Sequence, residues 1–417
     1  MNPLRGVPVS DYVRDGAAAV CLLACLSMPW DFNGDGWDRW WVAVAVLSSL
    51  LSLALPYIGA AQIIPGWSKV HIRIIKAAAL VPFVSSVLAA LVNELVHVNS
   101  DFEGGFGSGI AIGLAGALLA VQPRFHDEDL GGAQDQLWRG LYSLLAISSI
   151  VAMGASYLAF LLQYVRAEFG VDSLVIVRTT MALGLVALVW FFPTVPTLSG
   201  AQPWRRIVVV VGFTWLAVAL LTGDGNGLFL ESRVAKWDYP LSGLFLVGGA
   251  AALVVSHPMQ RSDRTGTHPF HLWIGTAKVA LGVSAAGLVV LIVGMVLTMI
   301  DEEDFSTVKI VISALAAIPA LLHLTAVSLL ADVQNRRRLA LGLIGLAVVL
   351  AVIILSVGSS EADLAVGGPE TAVWITLPCL AVYALTVPKV IRDHLGPLVP
   401  QTTPSQPHQH PGYQDGT

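Results

Sequence analysis

Two ionisable side chains interrupt an apolar stretch in the first quarter of the sequence, within the segment Asn93-Glu94-Leu95-Val96-His97. An ionisable group at the centre of a bilayer costs roughly 2.5–3.5 kcal/mol, so such a residue usually has a partner or a task. Residues three apart share one face of a helix. We therefore predict that Glu94 holds a proton or binds a cation and that His97 tunes it. The alternative is that both side chains lie within one turn of the membrane surface and are hydrated.

A metal centre is not predicted from this pair. Glu94 and His97 have the Glu-x-x-His spacing of di-iron helical bundles, but such sites need a second pair of this kind. The sequence contains no second pair. We therefore predict no metal and no other cofactor.

The most deeply placed ionisable residue is His323, in the segment Leu321-Leu322-His323-Leu324. The structural interpretation is a neutral histidine that is hydrogen-bonded to a neighbouring helix. The functional interpretation is a proton relay or a contact with a substrate. We predict that Glu94, His97 and His323 line a substrate or proton path.

A third group of candidate residues is the acidic cluster Asp31, Asp35 and Asp38. The segment that begins at Asp31 resembles the first half of an EF-hand calcium loop, but the later ligand positions carry Arg39 and Val42. A tight polar turn and a weak calcium site are the two interpretations. Polyprenyl-dependent glycosyltransferases of the membrane also carry acids in their first outer loop, although that loop is longer. The resemblance implies an enzyme that acts on a lipid-linked substrate at the outer leaflet, with these aspartates as base or metal ligands.

The elements that must position these residues are membrane-spanning helices. Hydrophobic residues make up 55% of the 417 positions, charged residues make up 12%, and the mean hydropathy is +0.73, whereas soluble domains carry about 25% charged residues. The apolar residues fall in runs of about 17 to 25, the length that a helix needs to cross a bilayer. We predict an all-α, polytopic transmembrane bundle of about twelve spans. The predicted spans are 13–30, 40–61, 75–97, 107–122, 139–162, 174–193, 206–222, 240–256, 270–300, 307–331, 339–357 and 371–388.

The membrane domain is predicted over residues 1–390, followed by a disordered cytoplasmic tail over 391–417 that is rich in Pro, Gln and His. Most of the 23 Lys and Arg residues fall in the same set of loops when the N-terminus is placed inside, as the positive-inside rule requires. We therefore place both termini in the cytoplasm and the protein in the plasma membrane of a bacterium.

A parallel repeat of six plus six helices, with halves at 1–200 and 201–390, is a further hypothesis. Two short matches support it. The segment Asn33-Gly34-Asp35-Gly36 resembles Gly223-Asp224-Gly225-Asn226, and Thr194-Val195-Pro196 resembles Thr386-Val387-Pro388. The alternative is a set of helices whose loops share ordinary turn residues.

The sequence excludes several classes of function. The net charge is −5, and no basic surface indicates nucleic acid as a partner. The phosphate-binding motif Gly-x-x-x-x-Gly-Lys-Ser/Thr does not occur, so we do not expect nucleotide hydrolysis. We predict a non-enzymatic carrier or an envelope-associated membrane component, with the lipid bilayer and a small-molecule or lipid substrate as partners. The alternatives are the outer-leaflet enzyme and a scaffold without a substrate.

Overall fold

Helices make up almost all of the structure, which is a computed structural model. The residues that it describes are 8–31, 34–61, 63–64, 67–96, 106–124, 133–166, 173–222, 234–235, 245–261, 267–301, 306–361, 368–396 and 398. The helices are α1 (Val9–Ala24), α2 (Trp40–Ala60), α3 (Lys69–Val96), α4 (Ser108–Val121), α5 (Ala133–Arg166), α6 (Ser173–Val186), α7 (Phe192–Leu198), α8 (Gln202–Thr222), α9 (Phe245–Val254), α10 (His257–Arg261), α11 (Pro269–Asp301), α12 (Thr307–Leu329), α13 (Val333–Glu361), α14 (Gly368–Thr371), α15 (Leu377–Thr386) and α16 (Lys389–Leu395). The predicted all-α fold is confirmed, and the predicted domain boundary at residue 390 falls within α16.

Short irregular elements complete the described chain. Two π-helical turns occur, Ala187–Phe191 between α6 and α7 and Ala372–Thr376 between α14 and α15. Two small antiparallel sheets pair β1 (Pro29–Asp31) with β2 (Gly34–Asp35), and β3 (Phe106–Gly107) with β4 (Val234–Ala235).

Long apolar helices characterise the described part of the chain. Seven helical segments in it are long and apolar enough to cross a membrane. An eighth is added if Gly368–Thr386 and Lys389–Leu395, which meet at an angle of 58°, form one span. Large hydrophobic side chains such as Leu144 and Val151 point outward from these helices, as expected of a surface that faces lipid. The chain is therefore an all-α protein whose apolar helices indicate a membrane bundle.

The longest of the seven segments, Thr307–Gly358, has 52 residues and contains two helices. α12 and α13 are joined by a 3₁₀ turn at Leu330–Asp332 and pack against each other, which two parts of one straight helix cannot do. This segment is therefore a helical hairpin, and it covers the spans predicted at 307–331 and 339–357. The predicted count of twelve spans is not confirmed.

One predicted span corresponds to a short helix in the interior. α4 has 14 residues, so at about 1.5 Å per residue it does not alone cross a hydrocarbon core of about 30 Å. Nearly every residue of α4 is buried, and α4 packs on α9. Short helices are tolerated at membrane depth where protein rather than lipid covers their ends.

The pattern of helix contacts repeats after every four helices. α1 packs on α4 and α2 on α3; α5 packs on α9 and α7 on α8; α11 packs on α15 and α12 on α13. If α6–α7 and α14–α15 each count as one interrupted helix, the first helix of each group contacts the fourth and the second contacts the third. We name these groups unit 1 (8–124), unit 2 (133–261) and unit 3 (267–396). The predicted six-plus-six repeat is not confirmed.

The three units also share sequence features. Their first helices contain Val13-Arg14-Asp15-Gly16, Leu137-Trp138-Arg139-Gly140 and Leu272-Trp273-Ile274-Gly275. Their fourth helices are each followed by a proline, namely Pro123, Pro258 and Pro388. Pro123 and Pro388 each lie two residues beyond the end of α4 and α15, where the missing N–H donor of proline disfavours continuation of the helix. Pro258 lies in α10, four residues beyond the end of α9.

Proline also explains both π-helical turns. After the first turn, Phe192 donates its N–H to Ala187 O, five residues earlier. The next residue, Pro193, has no N–H, and its ring would collide with the carbonyl four residues before it, so the turn widens. The corresponding residues of the second turn are Leu377, Ala372 and Pro378.

Candidate functional site

One end of the bundle gathers cations, and we name it the cationic end. Near the start of its third helix, each unit has a cation that donates to a carbonyl at or just after the end of its fourth helix. The three hydrogen bonds are Lys76 Nζ to Gln122 O (2.8 Å), Arg205 Nη1 to Met259 O (2.8 Å) and Arg337 Nε to Leu385 O (2.9 Å). The last carbonyls of a helix lack intrahelical partners, and the helix dipole favours a cation there. Lys76 and Arg337 therefore hold the ends of α4 and α15, whereas Arg205 holds α10, the short helix that follows α9.

A charge network lies at the cationic end and consists of Asp11, Arg14, Asp15, Tyr57, Arg124 and His257. Arg14 donates to Asp11 Oδ1 at 2.9 Å and to Pro123 O at 3.3 Å. Asp15 pairs with Arg124 and accepts a hydrogen bond of 2.6 Å from Tyr57. His257 Nε2, from unit 2, lies 3.8 Å from Asp11 Oδ1. The network therefore joins α1, α2 and the segment after α4 to α10.

The charges of the network are almost completely removed from solvent. The exposed fraction of the side chain is 2% for Asp11, 7% for Arg14, 12% for Asp15 and 5% for Arg124. Buried charges carry a desolvation cost of several kcal/mol each, which only close pairing offsets. Two carboxylates face two guanidinium groups, so the removal of any one of these four charged groups leaves an opposite charge buried without full compensation.

The amino-acid sequence alone does not reveal this network. Arg14 and Arg124 have the position of cations that flank a span, and nothing in the sequence pairs Asp15 with a residue in another loop. The available signal is the spacing of Asp11 and Arg14, which lie three apart at the start of an apolar helix. Opposite charges at this spacing face each other on a helix.

A second polar group, the central seat, consists of Ser284 on α11, His323 on α12 and Trp374, which follows Val373 in the second π-helical turn; the link to this turn is the hydrogen bond from Ser284 to the backbone of Val373. Ser284 Oγ donates to Val373 O at 2.6 Å and lies 3.1 Å from His323 Nδ1. His323 and Trp374 are each 1% exposed. Among the described residues, neither His323 Nε2 nor Trp374 Nε1 has a hydrogen-bond partner. Buried polar atoms without partners are rare in proteins, so these two require an explanation.

A missing hydrogen-bond partner means more for a buried ring nitrogen than for a buried hydroxyl group. Ser49 and Ser256 also have a buried oxygen without a partner in the described part of the chain. A serine hydroxyl can rotate toward a carbonyl of its own helix, whereas a ring nitrogen is fixed by the position of its ring. The missing partners of the two ring nitrogens therefore cannot be explained by a rotation of the polar group, as those of the two serine hydroxyls can.

Around the central seat, α11 packs on α12, on α8 and on the second π-helical turn, and α8 also contacts this turn. Thr214 on α8 donates to Thr376 Oγ1 at 2.9 Å, which holds the turn from the other side. Glu370 on α14 is also buried, with 1% of its surface exposed. This polar group thus lies inside a bundle whose other core residues are mainly apolar.

Unit 2 has a serine at the position that corresponds to Ser284. Ser149 and Ser284 follow the glycines of Leu137-Trp138-Arg139-Gly140 and Leu272-Trp273-Ile274-Gly275 at the same distance along the chain. Trp190, in the first π-helical turn, donates Nε1–H to Ser149 Oγ at 3.1 Å and is fully buried. The indole of Trp190 therefore uses its single donor on the serine, whereas His323 leaves one ring nitrogen open.

Of the three residues that are predicted to line a path, the structure describes the side chain of one, His323. His323 is buried and contacts Ser284 of the neighbouring helix, and its role in a path stays a prediction. Glu94 is on α3, but its side chain lies outside the described residues, as does the whole of His97.

The predicted acidic cluster is also described in part. Asp38 Oδ2 accepts a hydrogen bond of 2.9 Å from Asp35 N, and both residues are exposed. The side chain of Asp31 lies outside the described residues. Within the described ranges, no group of three or more His, Cys, Asp or Glu side chains could hold a metal ion.

The fold and the two polar groups define a helical protein of membrane type, with a charge network at one end and a polar seat inside the bundle. A family model matches residues 11–394, a range that extends over nearly all of the three units. The chain belongs to this family, which is described as a domain of unknown function, DUF7937. No curated protein and no solved structure matches the chain.

Proposed function

We propose that this protein is a membrane carrier for a small solute that binds at the central seat. The observation that carries the proposal is the pair of buried ring nitrogens, His323 Nε2 and Trp374 Nε1, which lack partners among the described residues. An unpaired buried polar group costs about 1–3 kcal/mol. A bound solute that pairs with these atoms offsets that cost.

The helices around the seat support this proposal. Secondary transporters commonly bind their substrates at interrupted helices near the middle of the bilayer. The fourth helix of unit 3 is interrupted by the π-helical turn Ala372–Thr376 and bends by 58° before α16. Ser284 lies near the middle of α11, which places the seat at a corresponding depth.

The charge network serves as a gate in this proposal. Its strongest contacts, Asp11–Arg14 and Asp15–Arg124, lie within unit 1. Toward unit 2 it makes the longer contact of 3.8 Å between His257 and Asp11. Carriers expose their site by moving one group of helices against another, and within the network such a movement between units 1 and 2 breaks the His257–Asp11 contact and keeps the two shorter pairs.

The location of the protein is part of the same proposal. We place it in the plasma membrane with about twelve spans, with both termini and the cationic end in the cytoplasm. The path includes Glu94 and His97 as well as His323. An outer-leaflet enzyme has less support, because Asp38 already accepts a hydrogen bond within its own turn and both Asp35 and Asp38 are exposed.

Uptake into vesicles tests the carrier function. The full chain is reconstituted into vesicles of phosphatidylethanolamine and phosphatidylglycerol, and labelled sorbitol, alanine, choline, acetate and phosphate are supplied in turn. At least one solute should enter faster than into protein-free vesicles. His323→Ala should lower that rate about fivefold or more, because it removes a hydrogen-bonding atom from the site.

The control variant is Thr325→Ala, on the same helix. Thr325 is exposed, and its hydroxyl donates to Leu321 O within α12 at 2.8 Å, so its removal should leave uptake unchanged. The proposal is wrong if no solute enters faster than into protein-free vesicles, or if the His323 variant transports as well as the wild type.

A further inference from the structure

We infer that the solute bound at the central seat is neutral and presents a hydroxyl group, as a polyol does. This inference rests on the proposed carrier function and specifies the chemistry of its ligand. It follows from the proton positions in the hydrogen bonds of Ser284, His323 and Trp374.

The hydroxyl of Ser284 fixes the tautomer of His323. A serine has one hydroxyl proton, and a backbone carbonyl can only accept. Since Ser284 Oγ lies 2.6 Å from Val373 O, its proton is directed to that carbonyl. Toward His323 Nδ1, at 3.1 Å, the serine oxygen can therefore only accept, so Nδ1 carries the ring proton.

The open atom of His323 is consequently an acceptor. In a neutral imidazole one nitrogen donates and the other accepts, so Nε2 presents a lone pair. A protonated ring would instead present an N–H at Nε2, which has no acceptor among the described residues. The open atom of Trp374 is a donor, because an indole nitrogen can only donate.

A hydroxyl group matches both open atoms. A hydroxyl can donate to His323 Nε2 or accept from Trp374 Nε1, and a polyol has several hydroxyls to serve the two atoms separately, whereas a carboxylate or phosphate oxygen without a proton cannot donate. In the described structure, no hydrogen bond brings Lys or Arg to Ser284, His323 or Trp374 to neutralise an anion. A cation would need a carboxylate, and in the described structure no hydrogen bond or ion pair brings a carboxylate to Ser284, His323 or Trp374.

Unit 2 supplies an internal comparison. Trp190 pairs with Ser149 and leaves no ring nitrogen open. The first and second helices of unit 2 therefore pack against each other with the ring nitrogen beside the serine fully bonded. The open nitrogen in unit 3 is therefore not required by the helix packing itself.

Binding of matched solutes tests the ligand class. The full chain in lipid nanodiscs is unfolded thermally with glycerol, glycerate or aminopropanediol, and then with sorbitol, gluconate or glucamine, because each series has one carbon skeleton and three charges. A ligand that binds the folded state raises Tm. We expect glycerol or sorbitol to raise Tm, and its anionic and cationic analogues to have no effect.

Two tryptophan variants separate binding from structure. Trp374→Phe removes an open donor, so it should abolish the increase in Tm that the neutral solute causes. Trp190→Phe removes a donor that is already bonded to Ser149, so it should lower Tm without ligand and preserve the increase. His323→Phe should behave like Trp374→Phe.

The outcomes distinguish the ligand class from the carrier function. If an anion or cation raises Tm more than its neutral analogue, or if both tryptophan variants preserve the increase, the assignment of a hydroxylated ligand is wrong. The same holds if neither glycerol nor sorbitol raises Tm. Uptake of choline, acetate or phosphate that depends on His323 then still supports the carrier function, whereas the absence of any uptake refutes both.

Discussion

Arg337 holds two parts of the chain at the cationic end. Its Nε donates to Leu385 O and its Nη1 donates to Gly396 O, each at 2.9 Å, and the residue is 5% exposed. Arg337→Met keeps a long unbranched side chain but removes both hydrogen bonds. The carbonyl of Leu385 then loses its cationic partner at the end of α15, so we expect the free energy of unfolding to fall.

The size of the effect follows from the two hydrogen bonds. Bonds that involve a charged group contribute about 1.5–3 kcal/mol each in soluble proteins, whereas interhelical bonds in a membrane protein average about 0.6 kcal/mol. The loss of both bonds should therefore cost between about 1 and 6 kcal/mol. A central value of about 3 kcal/mol corresponds to a decrease in Tm of roughly 6 to 12 °C on the scale of soluble domains.

The adjacent arginines are matched controls. Arg336 and Arg338 are exposed, and Arg336 makes only an ion pair of 4.0 Å with Asp332, a kind of contact that contributes about 0–1 kcal/mol. All three methionine variants lose one positive charge from the same segment, so effects on membrane insertion are equal. Thermal unfolding of the purified full chain, followed by tryptophan fluorescence, gives the three Tm values. Equal Tm values for all three variants would refute the role of Arg337 as the cap of α15.

Two further predictions concern unit 1. Gly107→Ala should greatly reduce the yield of folded protein on size-exclusion chromatography, because a Cβ atom there would overlap the backbone carbonyl of Pro29. The control Gly140→Ala places a Cβ where no atom lies within 4 Å, so it should be neutral or should stabilise the helix by about 0.5–1 kcal/mol. Asp15→Asn should destabilise the protein by about 3 kcal/mol, because it leaves the buried charge of Arg124 without its partner. The double variant Asp15→Asn, Arg124→Gln should be more stable than the sum of the two single effects, and strict additivity in thermal unfolding would show that the two residues are not coupled.

His323 shows how far sequence reasoning reaches at the candidate site. Its apolar neighbours predict that it is buried, and the structure places it in the core. Its contact with Ser284, which is 39 residues away in the chain, depends on how α11 and α12 pack and has no local signal. Trp374 lies in an apolar run, where tryptophan reads as a packing residue, so its open N–H becomes visible only when its surroundings are known.

Span length is the feature of the fold that hydropathy predicts least well. A helix that faces lipid and a helix that is buried among other helices are both apolar, so the run at 107–122 predicts a span like the others. The structure instead has the short interior helix α4. Neighbouring helices decide this difference, and a window of one sequence contains no information about them.

The charge network depends on even more distant contacts. Arg14 donates to Pro123 O across 109 residues of chain, and Tyr57 reaches Asp15 from another helix. Orientation rules predict that cations such as Arg14 and Arg124 gather at one end, and they do. Those rules treat each cation as a flanking charge, so they do not predict that carboxylates are buried beside them.

The comparison between units separates what the fold requires from what one unit adds. A cation of the third helix donates to a backbone carbonyl at or beyond the end of the fourth helix in all three units, through Lys76, Arg205 and Arg337, although the acceptor in unit 2 lies in α10, so this contact belongs to the shared architecture. The position of Ser284 varies instead: unit 2 has Ser149 bonded to Trp190, and unit 1 has Cys25, whose thiol donates to Leu22 O in its own segment. A requirement of helix packing would recur in each unit, as the cation caps do. The open ring nitrogen of His323 has no counterpart in the Trp190–Ser149 contact, and this difference supports the proposal that unit 3 binds a ligand there.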